Sequence, residues 1–182
     1  MSIVERPHYI GSCRAKTDAH AAWLVRRTAA GWKIMIDDVY NAKILGFAGN
    51  IARIGRLDRP DATAKAHSKL CGSTVTVDLM MRDGVVTDFA HDVKACALGQ
   101  ASSSIMAQNV IGASADELRA VRETMQKMLK ENGAPPEGRF ADLKYLEPVR
   151  DYRARPASTM LTFDAVVDAI GQIEKKRTEA AA

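Results

Sequence analysis

The sequence predicts an α+β fold, with helices packed on one face of a small antiparallel β-sheet. Three observations lead to this prediction. Polar and apolar residues alternate from Thr74 to Met80, as in a half-buried strand, and Asp83-Gly84 is a tight-turn signal between two such runs. Helical periodicity lies on both sides of this hairpin. At 182 residues and 47% hydrophobic, the chain can bury one core.

Charge and cysteine content narrow the classes of function. The formal charge of +4 lies in residues 1–33, with six basic against two acidic residues, while residues 34–182 carry 20 of each. The predicted domain therefore has no basic excess for nucleic acid. No apolar run reaches the roughly 18 residues of a membrane helix. Three cysteines without a disulfide framework or a recognisable secretory leader indicate a cytoplasmic protein.

We expect a poorly ordered N-terminal extension at 1–33, a single domain at 34–176 and a C-terminal tail at 177–182. The first helix is predicted from Ile36 to about Gly46 or Gly49, with Asp37 and Asp38 in its first turn. Residues 53–60 then form a predicted solvated loop of mixed charge, followed by a short extended segment at 62–69.

The hairpin places two cysteines together. Its strands are predicted at 74–80 and 85–93, with Val75, Val77 and Leu79 facing the core. Because its two arms are similar in length, Cys71 before the first strand and Cys96 after the second are expected at the same end of the sheet.

Helices follow the hairpin. Residues 101–110 predict a helix whose serines, Ser102 to Ser104, allow close packing, and Ser114 caps the next helix, which ends at Asn132-Gly133. A short helix at 140–146 and an irregular basic stretch at 148–156 are predicted before a final helix starting near Ser158. The core stripes of the last two long helices are Leu118, Val121, Met125, Met128 and Leu129, then Leu161, Val166, Val167, Ile170 and Ile173.

Cys96 is a candidate ligand or nucleophile, because a helix N-terminus favours thiolate over thiol. Lys94 would assist if residues 93–96 are extended. His67 and His91 are further candidate ligands, since a neutral imidazole, like a thiolate, binds metal ions. The alternative for each histidine is an ordinary surface or core-edge position, which is the commoner case.

The segment Leu70-Cys71-Gly72-Ser73 precedes a Val-rich strand and a hairpin, and Ala95-Cys96-Ala97 precedes Ala101-Ser102-Ser103-Ser104. In order and spacing, these motifs resemble the IscU/SufU/NifU-N-terminal type of iron–sulfur cluster assembly scaffold over about residues 36–173. The resemblance implies a non-enzymatic scaffold that binds an iron–sulfur cluster, such as one of the [2Fe–2S] type, or zinc through thiolates such as Cys71 and Cys96. It also implies a cysteine desulfurase and recipient apoproteins as partners.

The chain departs from the family pattern at two positions. Ser73 stands where the family has an aspartate, and Ser158 stands where it has a third cysteine. A serine hydroxyl stays protonated near neutral pH and is a poor ligand for iron or zinc. Three interpretations remain open: a scaffold or carrier completed by other ligands or by a second subunit in a homodimer, a persulfide acceptor without a stable cluster, and an interaction protein that kept the fold without metal.

Overall fold

The computed structural model describes residues 41–152 and 155–182, which lie in the compact unit Ile36–Ala182. Its elements are helix α1 (Ala42–Gly49), strands β1 (Ala62–His67), β2 (Thr74–Arg82) and β3 (Val85–Lys94), helices α2 (Ala97–Asn109) and α3 (Ala115–Glu131), a 3-10 helical run (Gly138–Asp151) and helix α4 (Pro156–Ala181). The predicted extension at 1–33 lies outside the described residues. No described helix is long and apolar enough to cross a lipid bilayer.

The three strands form an antiparallel sheet in the order β1-β2-β3, which confirms the predicted class. Val75, Val77 and Leu79 are fully buried on one face, as the alternation predicted. Helix α4 packs against β1 and β2, and α2 contacts β3, so the core lies between the sheet and these helices.

The turn between β2 and β3 fixes their register. Asp83 and Gly84 have φ angles of 51° and 78°, as a two-residue hairpin turn of type I′ requires. Thr74, the first residue of β2, pairs with Lys94, the last residue of β3. The segments carrying Cys71 and Cys96 therefore leave the sheet at the same end, which confirms the predicted placement.

The loop at 53–60 is tied to the sheet by a buried carboxylate. Asp78 is fully buried and accepts hydrogen bonds from Arg56 Nε at 2.6 Å, Arg56 Nη2 at 2.9 Å and the Leu57 N–H at 3.0 Å. The Thr63 hydroxyl donates a fourth at 2.6 Å. The prediction of a solvated loop is therefore wrong at Arg56. The buried carboxylate of Asp78 needs a charged partner, and Arg56 provides it.

The structure corrects two predictions for the helical segments, one about where a helix begins and one about the type of helix. Helix α1 begins at Ala42, because Asn41 is extended and its side chain accepts from the Ile44 N–H at 3.0 Å. Its end at Gly49 is confirmed, and residues 36–40 lie outside the described residues. Residues 138–151 form a 3-10 run instead of a short helix followed by an irregular stretch. Every third residue in part of this run is buried: Phe140, Leu143, Leu146 and Val149.

Helices α3 and α4 follow the predicted stripes closely. All five predicted core positions of α3 are buried, and Asn132 ends that helix in the left-handed conformation. Helix α4 begins at Pro156. Proline has no backbone N–H, but the first N–H groups of a helix have no partner within the helix, so no hydrogen bond is lost. Val167 is the one predicted core position of α4 that is only half-buried. The residues expected to form a tail continue this helix to Ala181, and Arg177 Nη2 donates to the Met81 carbonyl at 2.8 Å.

Candidate functional site

The loop at 68–73, between β1 and β2, presents Cys71 to solvent. Two backbone hydrogen bonds close it, from the Ser68 N–H to the Ser73 carbonyl and from the Gly72 N–H to the Ser68 carbonyl, both 2.9 Å. Gly72 takes a φ of 71°, which glycine adopts without strain. The exposed Cys71 sulfur lies 3.3 Å from Ser68 Oγ and 3.1 Å from Ser73 Oγ, and both serines are buried.

Cys96 occupies the N-cap position of α2, with φ −66° and ψ 168°, which confirms its predicted place at a helix N-terminus. The Gly99 and Leu98 N–H groups lie close enough to the Cys96 sulfur to lower its pKa, although the side chain makes no regular capping hydrogen bond. The half-buried sulfur lies 3.5 Å from the hydroxyl of Ser158 in the first turn of α4. That hydroxyl also lies within hydrogen-bonding reach of the Arg155 carbonyl, at 3.0 Å.

Small residues bring α2 and α4 close enough for the Cys96–Ser158 contact. A Cβ at Gly99 would lie 2.8 Å from Ala95 Cβ and 3.0 Å from the Ser158 carbonyl oxygen. Further along, the Ser102 hydroxyl donates to the Thr159 carbonyl at 2.6 Å, and all three serines from 102 to 104 are fully buried. The prediction that these serines permit close packing is confirmed.

The surroundings of both thiols favour the thiolate. The Ser68 and Ser73 hydroxyls lower the pKa of Cys71 most, and slight burial opposes them. Burial raises the pKa of Cys96, but the Ser158 hydroxyl and the α2 N–H groups outweigh it and leave that pKa lowered. The positive charge of Arg155 lowers both pKa values, so one cation acts on both thiols.

Lys94 and His67 stand apart from this arrangement. Lys94 is exposed and its Nζ lies 3.5 Å from Asp92 Oδ2, so its nearest charge partner is a carboxylate. His67 is exposed at the end of β1, and the chain turns before Cys71. The extended geometry that would place His67 and Cys71 on one face is therefore not adopted there.

His91 is a core residue. It pairs with Val77 in the middle of the sheet, is fully buried and has Nε2 3.0 Å from the Ala52 carbonyl oxygen. Its ring meets the Phe89 ring edge-on, with 5.0 Å between centroids. His91 therefore lies deeper in the core than the surface or core-edge position that the sequence analysis considered for it.

The described residues contain no group of three or more His, Cys, Asp and Glu side chains placed to hold a metal ion. Ser73 and Ser158, which the resemblance placed at ligand positions, contact the two sulfurs as hydroxyls. The site therefore offers two thiols, each with a hydroxyl neighbour, and a metal bound here needs further donors.

A profile of the NifU-like N terminal domain family matches residues 39–179, more than half of the chain. The chain belongs to this family. Its fold is similar to the N-terminal part of a nitrogen-fixing NifU-like protein from Brucella abortus, with a TM-score of 0.77 and 76% identity, covering 78% of this chain and 99% of that one.

Two curated relatives lie at lower identity. The iron–sulfur cluster assembly scaffold protein IscU of Thermotoga maritima is 26% identical over 137 residues, 75% of this chain and 96% of that protein. The protein of the same name from Streptococcus pyogenes serotype M1 is 23% identical over 135 residues, 74% of this chain and 84% of that protein.

A basic cavity lies beside the Cys71 loop of this NifU-like domain. Its volume is about 520 Å³, and its apolar lining includes Leu129, Met160 and Leu161. The charged side chains that line it are Lys69, Arg122, Lys130, Arg150 and Asp164. Asp164 accepts from Arg122 at 2.7 Å, which leaves an excess of positive charge, and Leu70 beside it is 71% exposed. Sequence analysis did not find this cavity, because the end of β1, the loop at 68–73, α3, the 3-10 run and α4 form it jointly.

Proposed function

We propose that this NifU-like domain is an iron–sulfur cluster assembly scaffold that holds a cluster transiently on Cys71 and Cys96. The observation that carries the proposal is that the segments of Cys71 and Cys96 leave the sheet at the same end, where Arg155 lowers the pKa of both thiols. The two curated relatives bear the name of such a scaffold. The cluster is cargo that this protein receives and passes on.

The chemistry of the site suits a labile cluster. Thiolate is the form that binds iron, and four thiolates are the usual complement of a [2Fe–2S] cluster. Two protein thiolates leave coordination positions to exchangeable donors, and the exposure of Cys71 gives incoming and outgoing ligands access. Zinc, which takes four sulfur or nitrogen ligands, is the alternative occupant.

The partners proposed are a cysteine desulfurase that supplies sulfur and apoproteins that receive the cluster. The basic cavity beside Cys71 supports an acidic partner surface at this place, because complementary charge steers association. The role is one of binding and carrying. A reducing cytoplasm would keep both thiols available.

A persulfide acceptor is the second candidate, favoured by the exposure of Cys71. The Cys71 thiolate would attack the terminal sulfur of a desulfurase persulfide. A new S–S bond forms at Cys71, the donor's S–S bond breaks, and the donor cysteine leaves as a thiolate. No outside oxidant or reductant is needed.

Anaerobic reconstitution with ferrous iron, L-cysteine and a cysteine desulfurase tests the proposal, with iron, acid-labile sulfide and visible absorption measured. We expect the wild-type chain to acquire a cluster, and Cys71→Ala and Cys96→Ala each to lose it. Cys13→Ala is the matched control for cysteine removal and should keep it. A colourless wild-type chain without iron, sulfide or zinc contradicts the scaffold role, and persulfide mass on Cys71 alone would select the second candidate.

A further inference from the structure

We propose that the basic cavity beside the Cys71 loop is the docking site for a short acidic segment of a partner protein, and that this segment carries one apolar side chain. The inference rests on the proposed function for the existence of partners, and it names the part of a partner that binds. Four features of the cavity support it: its shape, two lysines without charged partners, an apolar surface, and a wall shared with the Cys71 thiol.

The cavity has the shape of a short groove between two antiparallel helices. Arg122 of α3 pairs with Asp164 of α4, and Arg119, which is earlier in α3, pairs with Glu174, which is later in α4. The residues of α4 that line the cavity lie between Pro156 and Asp164, about 12 Å along the helix. That length takes about four residues of an extended chain. The cavity therefore fits a segment of a partner.

Two lysines of the cavity have no charged partner in the described chain. Lys69 and Lys130 are exposed, and their ammonium groups form no ion pair or hydrogen bond with residues 41–152 or 155–182. The two arginines of the cavity, in contrast, each pair with a carboxylate of this chain. The lysines leave positive charge that is not neutralised, and this charge favours carboxylates from another molecule.

An apolar surface accompanies these lysines. Leu70 lines the cavity and is 71% exposed, and the buried side chains of Leu129, Met160 and Leu161 form part of the same lining. Carboxylates alone would leave Leu70 in water, whereas a segment that also carries an apolar side chain would cover it. An apolar anchor surrounded by polar contacts is the usual arrangement of a small interface.

The cavity and the thiol of Cys71 share a wall. Ser68 lines the cavity, and its hydroxyl lies 3.3 Å from the Cys71 sulfur. Lys69 and Leu70 connect these two residues along the chain. A segment bound in the cavity therefore contacts the loop at 68–73 and holds the partner beside the exposed thiol. Docking of this kind would orient a partner that brings sulfur or takes the cluster.

Fluorescence anisotropy of a labelled synthetic peptide, titrated with the full chain without a cluster, measures docking directly. The probe has a central leucine flanked on each side by two glutamates. We expect saturable binding that weakens with added sodium chloride, because salt screens exposed charges. The same peptide with glutamines in place of its glutamates, or with serine in place of its leucine, should bind at least about tenfold more weakly.

Lys130→Glu should raise the dissociation constant of the probe at least about tenfold, because it brings a like charge against the peptide. Lys175→Glu is the matched control: it makes the same change in net charge at an exposed position of α4 outside the cavity, and it should leave binding unchanged. The bound probe should also slow the alkylation of Cys71 in the wild-type chain, and this protection should be lost in Lys130→Glu.

The outcomes separate this inference from the proposed function, because the assay contains no cluster. A dissociation constant above about 1 mM for the wild-type chain, or equal weakening by Lys130→Glu and Lys175→Glu, overturns the docking site. Displacement of the probe by inorganic phosphate, where sodium chloride of the same ionic strength has no effect, assigns the cavity to small anions and also overturns it. A chain that binds the probe but takes up no cluster contradicts only the scaffold function.

Discussion

Arg155 is the residue whose charge the two thiols share. Cys71 depends mainly on the Ser68 and Ser73 hydroxyls, whereas Cys96 depends on Ser158 and on the N-terminus of α2. Nothing in sequence spacing relates Arg155 to Cys71. The pairing exists because the start of α4 is brought to the end of the sheet that carries both sulfurs.

Replacing Arg155 with glutamine should raise the pKa of both thiols, because the nearby positive charge that favours the thiolates is lost. The pH dependence of alkylation at each cysteine, followed by mass spectrometry, measures both values. Lys94→Gln is the matched control: Lys94 is exposed and lies beside Asp92, so its removal should move neither profile. Unchanged profiles in the Arg155 variant would contradict the account of the shared charge.

Restoring a thiol at position 158 should strengthen metal binding. Ser158 Oγ lies 3.5 Å from Cys96 Sγ, close to the roughly 3.8 Å between two sulfurs on one tetrahedral zinc ion. We expect Ser158→Cys to bind zinc at least about tenfold more tightly than the wild type, as a competing chelator would report. Thr178→Cys, which adds an exposed thiol far along α4, should not. Equal affinity in both variants would count against the site at Cys96.

At the scale of elements, local signals predicted the hairpin and its consequence. The alternation of β2 and the Asp83-Gly84 turn depend on residues adjacent in the chain, so the sequence alone could predict them. Together they determine which end of the sheet carries both cysteines. The start of α1 escaped prediction, because apolar periodicity runs past Asn41, whose capping side chain begins the helix. The 3-10 run was read partly as an ordinary helix, since buried residues at every third position suit either.

The contact between α2 and α4 gives a direct test at this scale. Gly99→Ala introduces a methyl group 2.8 Å from Ala95 Cβ and 3.0 Å from the Ser158 carbonyl, neither of which can rotate away. We expect the free energy of unfolding in urea to fall by about 1–3 kcal/mol. The distance from Cys96 to Ser158 should grow as the helices separate, and the pKa of Cys96 should rise with it.

Gly46→Ala is the control for that substitution. Gly46 lies within α1 with nothing inside 4 Å of an added Cβ, so alanine should leave stability unchanged or raise it by up to about 1 kcal/mol. If Gly99→Ala is as stable as Gly46→Ala, the helices are not in the close contact described.

At the scale of the whole molecule, stability depends on buried titratable groups. Burial lowers the pKa of His91, and the Ala52 carbonyl and Asp92 only partly oppose it. Because the unfolded chain binds a proton near pH 6.5, this histidine should destabilise the fold as the pH falls from there towards its folded pKa. Burial also disfavours the charged form of Asp78, but its hydrogen bonds from Arg56, Thr63 and Leu57 prevail and lower its pKa. The stability that the ionised Asp78 gives the folded state is therefore present above about pH 4 and is lost as the pH falls below that value.

His91→Gln should reduce the loss of stability on acidification, since glutamine can still donate to the Ala52 carbonyl but does not titrate. Urea unfolding at about pH 7.5 and about pH 5.5 measures the difference, which should be smaller than in the wild type by up to about 1.4 kcal/mol per pH unit. His67→Gln is the matched control for removal of an exposed imidazole. An unchanged difference in His91→Gln would show that His91 carries no such penalty.

The parts of the site that sequence could predict are those set by local order along the chain. Cys71 and Cys96 were found from their places beside one hairpin. The buried pair of Asp78 and Arg56 and the basic cavity were not, because each joins segments far apart in sequence, and Ser158 was associated with the cysteines only through the family resemblance. Such contacts arise only from packing.

The most direct test of the account is the iron and acid-labile sulfide content of the full chain expressed and purified without oxygen, with its mass in solution recorded on the same sample. A scaffold that holds a cluster on Cys71 and Cys96 predicts iron and acid-labile sulfide in about equal amounts in the wild-type sample. It also predicts that both are lost in Cys71→Ala and in Cys96→Ala. A wild-type chain free of iron and sulfide, or one whose iron survives both substitutions, would contradict it.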